Sequence, residues 1–551
     1  MIRMPLLPAL LLSAAVISGQ ELTAQLSTVT TATGSEVVQG VLSGQQGLAR
    51  TADGRLWALT YYNDGKANGA QSMFDRIYVS KDNGKTWSLG TTVPKTGAVR
   101  GSIRTGVDGT TLHVVWQGND STTTSTSFYT VYYATYDTLT GKWNGTPYKV
   151  AAGVNSNDQY QSPDVVVTPG GTVVVAYNGH RQSPSWSGRM RVLKGSTWSA
   201  EQRINVDTYG IQVDMQAHGE DVYFAYRTNS GGYGIRCRRY QTAIDKWGAE
   251  GEMQVSQANP TNTNPASSGN GLCVLPNGDV YVIYAKGTSS AGKGEIWVGI
   301  APTGTYKFTT HVKVADDAAM IGGNKTYYHY ALSRSGTRVN VLYSKLSESN
   351  KTLYLRWFAG TTILPPTGIQ QATGTANQFG FVSAHRDPLG EHGMMALTTD
   401  RGTPNRVQAL VAATGFSILH QGGCMGSLKS QPALRPGSIP VLGQVFNLEH
   451  SRLPASAPAL MLLGANAQTW GPIPLPLKLD GLGMPGCLLA QDILVTAGFV
   501  AKGDGTATLP LPIPSLPSLA GVPFYVQSFV IATGANKGNA VMTNGIAVNP
   551  R

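Results

Sequence analysis

A glycine-centred turn followed by a short apolar strand, often carrying a tyrosine or tryptophan, recurs seven times along this chain and restricts its fold more than any other feature. The copies are ADGRLWALTYY from Ala52, VDGTTLHVVWQ from Val107, PGGTVVVAYNG from Pro169, AHGEDVYFAYR from Ala217, PNGDVYVIYAK from Pro276, RSGTRVNVLYSK from Arg334 and the weaker LGEHGMMALTTD from Leu389. With Gly54, Gly109, Gly171, Gly219, Gly278, Gly336 and Gly390 as anchors, the interval runs from 48 to 62 residues. Such a period suits a four-stranded sheet that cannot bury its faces alone and stacks on its neighbours in a closed ring. The sequence therefore predicts an all-β chain with a seven-bladed β-propeller over residues 25–415.

Composition agrees with strands and turns. Of 551 residues only 13% are charged, while 66 are Gly, 30 Pro and 24 Tyr, a profile that argues against long helices. The net charge of +11 favours polyanionic partners or is a solubility charge spread evenly over the surface. At the N-terminus Arg3 precedes the apolar run Leu6–Ile17, and small residues follow up to Ala24. This reads as a signal peptide over residues 1–24, and hence as a secreted or cell-surface protein. No later stretch is long and apolar enough for a transmembrane helix. In an exported chain Cys424 and Cys487 form a reasonable local disulfide, and Cys237 with Cys273 could also pair. Their spacing matches no zinc signature, no cofactor is required, and a calcium or zinc ion stabilising the ring is left open. Neither a phosphate-binding glycine loop nor a basic helix for nucleic acid is present.

After Thr414 short apolar strands alternate with Pro/Gly turns, as in GPIPLPLKLDGLGMPGCLL and LPLPIPSLPSLAGVPFYVQ. The pattern predicts a C-terminal β-sandwich over residues 416–551. This region resembles a C-terminal module found on large secreted bacterial proteins of otherwise unrelated kinds. The resemblance implies surface attachment, sorting or glycan contact rather than catalysis.

Chemistry is expected at the end of the ring opposite the turns. In the third repeat the runs Val165–Thr168 and Val173–Ala176 flank Pro169-Gly170-Gly171 and predict a hairpin. Tyr160 and His180 each lie ten residues from Gly170 and should emerge together at its open end. Equivalent positions add Arg181, then Tyr209 and Arg227 from the fourth repeat, Arg100, Gln117 and Asn119 from the second, Lys286 from the fifth, and Tyr328 and Lys345 from the sixth. This set is rich in Tyr, His and Arg and poor in carboxylates, unlike the paired acids of most glycosidases. β-Elimination from a uronate needs such groups: a cation neutralises the carboxylate, a Tyr or His removes the C5 proton, and a second one protonates the leaving oxygen.

Two resemblances bear on function. Ser80-Lys81-Asp82-Asn83-Gly84-Lys85-Thr86-Trp87 fits S-x-D-x-G-x-x-W, the Asp-box of bacterial neuraminidase repeats, with degenerate echoes ending at Trp143, Trp198 and Trp247. The Asp-box implies an outer turn closed by Asp82 with Trp87 packed between strands, and says little about chemistry. The order Asp158, Tyr160, Pro163, then Tyr177, Gly179, His180, then Tyr209, Tyr226 and Arg227 resembles the propeller-type ulvan lyases. That resemblance implies His180 as acid or base, Tyr209 as its partner and Arg227 as the carboxylate clamp. The chain departs from the family at Tyr160, where a histidine is expected, leaving Tyr160 as a replacement or a sugar-stacking platform. Arg181, Arg100, Asn119, Lys286, Tyr328 and Lys345 would contact an acidic polysaccharide. A sialidase-like hydrolase is the alternative, although the Arg-Ile-Pro motif of sialidases is missing, and a noncatalytic glycan-binding propeller is a third reading.

Overall fold

The computed structural model describes residues 23–550 apart from 34–36, 41–45, 52–54, 64–72, 83, 95–98, 119–129, 153–158, 181–186, 207–209, 229–233, 257–270, 288–292, 320–329, 336–337, 346–351, 360–361, 364–366, 372–378, 385–391, 401–405, 414–415, 419–422, 429–430, 437–439, 441, 520–521 and 549. The expected signal segment up to residue 22 lies outside this set. The first described strand, Thr23–Thr31, begins before the expected boundary at Ala24.

The chain is all-β. Between Thr23 and Ala413 its described strands form seven antiparallel sheets of four or five strands. In sheets two to six the main strands pair in chain order, because β-branched and aromatic runs alternate with tight turns. Gly109, Gly171, Gly219 and Gly278 have φ of +74°, +82°, +56° and +89°. At these turns the left-handed region is open to glycine at little cost. The seventh sheet takes its fourth strand from the other end of the chain: Thr23–Thr31 pairs with Arg406–Ala413.

Apolar clusters fill the seams. Leu59, Ile77, Ile103 and Val114 join sheets one and two, Val115, Tyr133, Val165 and Val175 join two and three, and Val174, Met190, Met215 and Phe224 join three and four. Further clusters join four to five and five to six. Tyr330–Ser335 of sheet six lies against Phe379–Ala384 of sheet seven, and Met395 and Leu397 of sheet seven pack with Leu56 and Ala58 of sheet one. Each sheet rests on the next, and the last on the first.

Polar clips repeat across the seams. Arg191 donates Nη1 to Val150 O at 3.0 Å, and Arg238 donates to Ile204 O at 2.7 Å. Arg356 donates in the same way to Val314 O. In each case a guanidinium of one sheet satisfies a carbonyl near the outer strand of the sheet before it. The outer tryptophans also reach backward: Trp87 Nε1 donates to Ser27 Oγ at 2.9 Å and Trp143 Nε1 to Thr91 Oγ1 at 3.1 Å. The turn ahead of Trp87 is closed as expected, with Asp82 Oδ1 accepting Ser80 Oγ at 2.8 Å and Thr86 N at 2.9 Å.

Beyond residue 415 a six-stranded sheet containing Pro458–Gly464 and Phe524–Ile531 accompanies a three-stranded sheet of Ala433–Pro436, Val445–Ser451 and Ala507–Pro512. Their facing sides share Leu434, Phe446, Leu448, Met461, Val526 and Ile546. Cys424 and Cys487 form a disulfide with Cα atoms 4.6 Å apart. Cys237 and Cys273 are free and buried, which corrects the expectation that they could pair. Arg452 Nη1 donates to Val107 O at 3.2 Å, linking this part of the chain to the turn end of sheet two. Among the described residues no helix is long and apolar enough to cross a membrane.

Candidate functional site

The hairpin of sheet three forms as expected, from Gln159–Val167 and Val173–His180. Gln159 pairs with His180 and Tyr160 with Gly179, so the backbone brings these positions together at the end away from Gly171. A side chain at residue 179 would meet the Tyr160 ring at 3.1 Å, and glycine there lets the ring lie across the strand.

The same end of the inner strands is shaped by a repeated bulge. Pairing shifts between Val99 and Ser102, Gln161 and Asp164, Ile211 and Asp214, and Gly380 and Ser383. One extra residue bends each strand there and re-aims its side chains. The residue after the bulge then ties sheet to sheet. Ser102 Oγ donates to Asp164 Oδ1 at 2.6 Å, Met215 N to Asp164 Oδ2 at 3.3 Å and Leu272 N to Asp214 Oδ2 at 2.8 Å. Arg104 crosses beneath, with Nε on Val165 O at 2.9 Å and Nη2 on Met215 O at 3.5 Å. Buried carboxylates and guanidiniums are tolerated there because hydrogen bonds replace their lost hydration.

Two of the four residues assigned to catalysis fall among the described side chains. Tyr160 is 3% exposed and meets Tyr177 edge-on, with centroids 5.6 Å apart and planes at 82°. The ring is thus packed against Tyr177 with little of its surface open to solvent. Arg227 is 8% exposed and pairs with Ile211 just before the sheet-four bulge. Gln117 and Asn178 hold the corresponding positions, opposite Val99 and Gln161. Gln117 Oε1 accepts Ser162 N of the next sheet at 3.4 Å, so in sheet two this position faces a seam. The side chain of His180 and all of Tyr209 lie outside the described residues, although Gly210, which follows Tyr209, opens sheet four opposite Thr228.

Of the expected substrate contacts, Arg181, Asn119 and Tyr328 lie outside the described residues, as do the side chains of Arg100 and Lys286. Lys345 is half-buried, with Nζ 4.3 Å from the Tyr354 ring centroid. Among the described residues no group of three or more His, Cys, Asp or Glu could hold a metal ion.

Three features escaped the sequence reading. Tyr177 donates to Glu201 Oε2 at 2.8 Å while Arg189 Nη1 holds Glu201 Oε1 at 2.9 Å. Tyr226 donates to Glu252 in the same way, with Arg236 Nε 3.9 Å from that carboxylate. Burial, then the adjacent glutamate, pushes both phenols well above the usual tyrosine range, so neither can serve as a base. A buried tyrosine held by a half-buried glutamate, repeated in two sheets, is a latch within the sheet. The third feature is Asp75, 1% exposed in the seam of sheets one and two. Burial pushes its carboxyl up to about 8, against a lowering by the Gly101 N–H. It is therefore protonated at neutral pH. A side chain at residue 101 would strike Leu59, the Val115 carbonyl and Asp75 Oδ2 at 2.7, 2.7 and 2.9 Å, so glycine is needed for the close approach.

No family model and no curated protein matches the chain. Among solved structures it is similar to the polysaccharide lyase Uly1, at 12% identity over 73% of this chain and 94% of that one, with a TM-score of 0.45. It is also similar to the α-L-arabinanase of Penicillium chrysogenum, at 12% identity over 69% of this chain and 99% of that one, with a TM-score of 0.38. A third is the sialidase of Trypanosoma rangeli, at 11% identity over 93% and 92%, with a TM-score of 0.36.

Proposed function

We propose that residues 25–415 form a seven-bladed β-propeller and residues 416–551 a β-sandwich module, and that the chain is a secreted or cell-surface lyase cleaving an acidic, uronate-containing polysaccharide by β-elimination. One observation carries this reading. The registers Gln159 to His180 and Ile211 to Arg227 bring the backbones of His180 and Arg227 to the same end of two adjoining sheets, with Tyr209 one residue before Gly210 in the chain.

In this mechanism Arg227 pairs with the uronate carboxylate and makes the C5 proton acidic enough to leave. A guanidinium only 8% exposed meets that carboxylate in a low dielectric, where the attraction is stronger than in water. One of His180 and Tyr209 takes the C5 proton, the C4–O bond breaks as the C4–C5 double bond forms, and the other protonates the departing oxygen. No cofactor is required. Arg181, Arg100, Asn119, Lys286, Tyr328 and Lys345 contact the flanking sugars, and the C-terminal module attaches the protein to a surface.

The test is incubation with ulvan or another polyuronate while following the ultraviolet absorbance of an unsaturated uronate. The signal appears with the native chain and vanishes in His180→Ala that melts like native protein. Release of free sialic acid would instead point to a hydrolase, and retention of the polysaccharide without either product to a binding propeller.

A further inference from the structure

The outer rim between sheets two and three carries an aromatic pair that the repeat does not call for. Tyr148, on the strand Tyr148–Ala151, stacks on Trp198 with centroids 5.1 Å apart and planes within 5°. Trp198 is braced from behind by Tyr133, edge-on at 5.3 Å. Arg191 stands 5.9 Å from the Tyr148 centroid, held by Nε on Ser199 O at 2.8 Å and Nη1 on Val150 O at 3.0 Å. The stack is thus braced from two sides.

The comparison with the next seam shows that the fold does not need a tyrosine there. Tyr148 lies opposite Tyr133 and Gln202 opposite Met190, corresponding positions in sheets two and three. Gln202 is half-buried and donates Nε2 to Tyr240 Oη at 3.1 Å. Tyr148 is 40% exposed, and the neighbouring Lys149 is exposed too. An exposed ring on this stack, with the Arg191 guanidinium beside it, has the parts needed to hold the C–H face of a pyranose and its carboxylate together.

We propose that Tyr148, backed by Trp198 and flanked by Arg191, is a surface subsite for an acidic polysaccharide, on the outer rim and apart from the candidate catalytic end. The subsite rests on the acidic-polysaccharide reading of function but not on the lyase chemistry. It retains polymer near the protein and leaves the turnover of short oligosaccharides unchanged.

The experiment is electrophoresis through gels containing ulvan or a neutral glucan, with unsaturated product from short uronate oligosaccharides measured on the same preparations. Native protein is slowed by ulvan and not by the glucan. Tyr148→Ala weakens the apparent affinity by at least about fivefold, and Tyr148→Phe keeps it. Product formation is equal in all three proteins. Native protein that ulvan does not slow, or a Tyr148→Ala variant slowed as much as native, overturns the subsite even where product still forms. Tyr148-dependent slowing without any unsaturated product supports the subsite and removes the lyase reading instead.

Discussion

Ser102 and Asp164 sit in different sheets, and the hydroxyl of the first donates to the carboxylate of the second at 2.6 Å where both are fully buried. The same carboxylate also takes Val165 N at 3.0 Å and Met215 N from a third sheet at 3.3 Å. Three successive sheets therefore depend on one side chain. Replacing Asp164 by Ala leaves these donors unpaired, at about 1–3 kcal/mol for each group left unsatisfied. Denaturant melts should show Asp164→Ala destabilised by about 3 kcal/mol or more, and Asp164→Asn, which keeps an acceptor, by clearly less.

Asp75 gives stability a pH dependence of known sign. Its carboxyl titrates at about 8 in the fold, against 3.8 for the ordinary group. A group whose folded value is raised contributes fully at pH below the ordinary value, and the contribution drains away as pH rises towards the folded one. Native protein should therefore lose stability between about pH 4 and pH 8 through this residue. Asp75→Asn removes that slope, so its advantage over native should grow across the window and level off above it. Chemical denaturation at a series of pH values measures the difference.

Tyr177 and Glu201 test whether a buried Tyr–Glu latch is structural. Tyr177→Phe deletes one hydrogen bond while Arg189 keeps its grip on Glu201. The expected loss is about 1–2 kcal/mol, read from thermal melts, with formation of unsaturated product unchanged. A large fall in product at unchanged stability would place this tyrosine in the reaction.

The disulfide between Cys424 and Cys487 closes a separation of 63 residues within the part of the chain beyond residue 415. Cys424→Ser with Cys487→Ser should destabilise that part by about 2–4 kcal/mol. The unfolding transition of residues 25–415 should hold its midpoint in a two-transition calorimetric scan.

Much of the fold was legible because turn chemistry is local. Gly109, Gly171, Gly219 and Gly278 announce their turns by the absence of a side chain, and Asp82 announces its own through spacing. The seam chemistry was not legible. Nothing near Asp164 in the chain says that its partners are Ser102 and Met215, and the bulge that aims it is a matter of pairing between strands. Tyr160 shows the same limit from the other side: its position at the open end was readable, but its burial against Tyr177 depends on Gly179 across the strand. Cys237 and Cys273 looked like partners by composition, yet each is buried as a free thiol.

The pairing of Thr23–Thr31 with Arg406–Ala413 has a consequence for how the molecule comes to exist. Ser27 bonds to a carbonyl 382 positions away, so the first described strand has no edge to join until nearly all the others of the seven sheets are in place. Contacts this distant in the chain are slow to form, and until they do, the first and seventh sheets each show the solvent an apolar face and a bare strand margin. Assembly thus ends on Thr23–Thr31, and a chain cut short before Arg406 would keep both surfaces exposed.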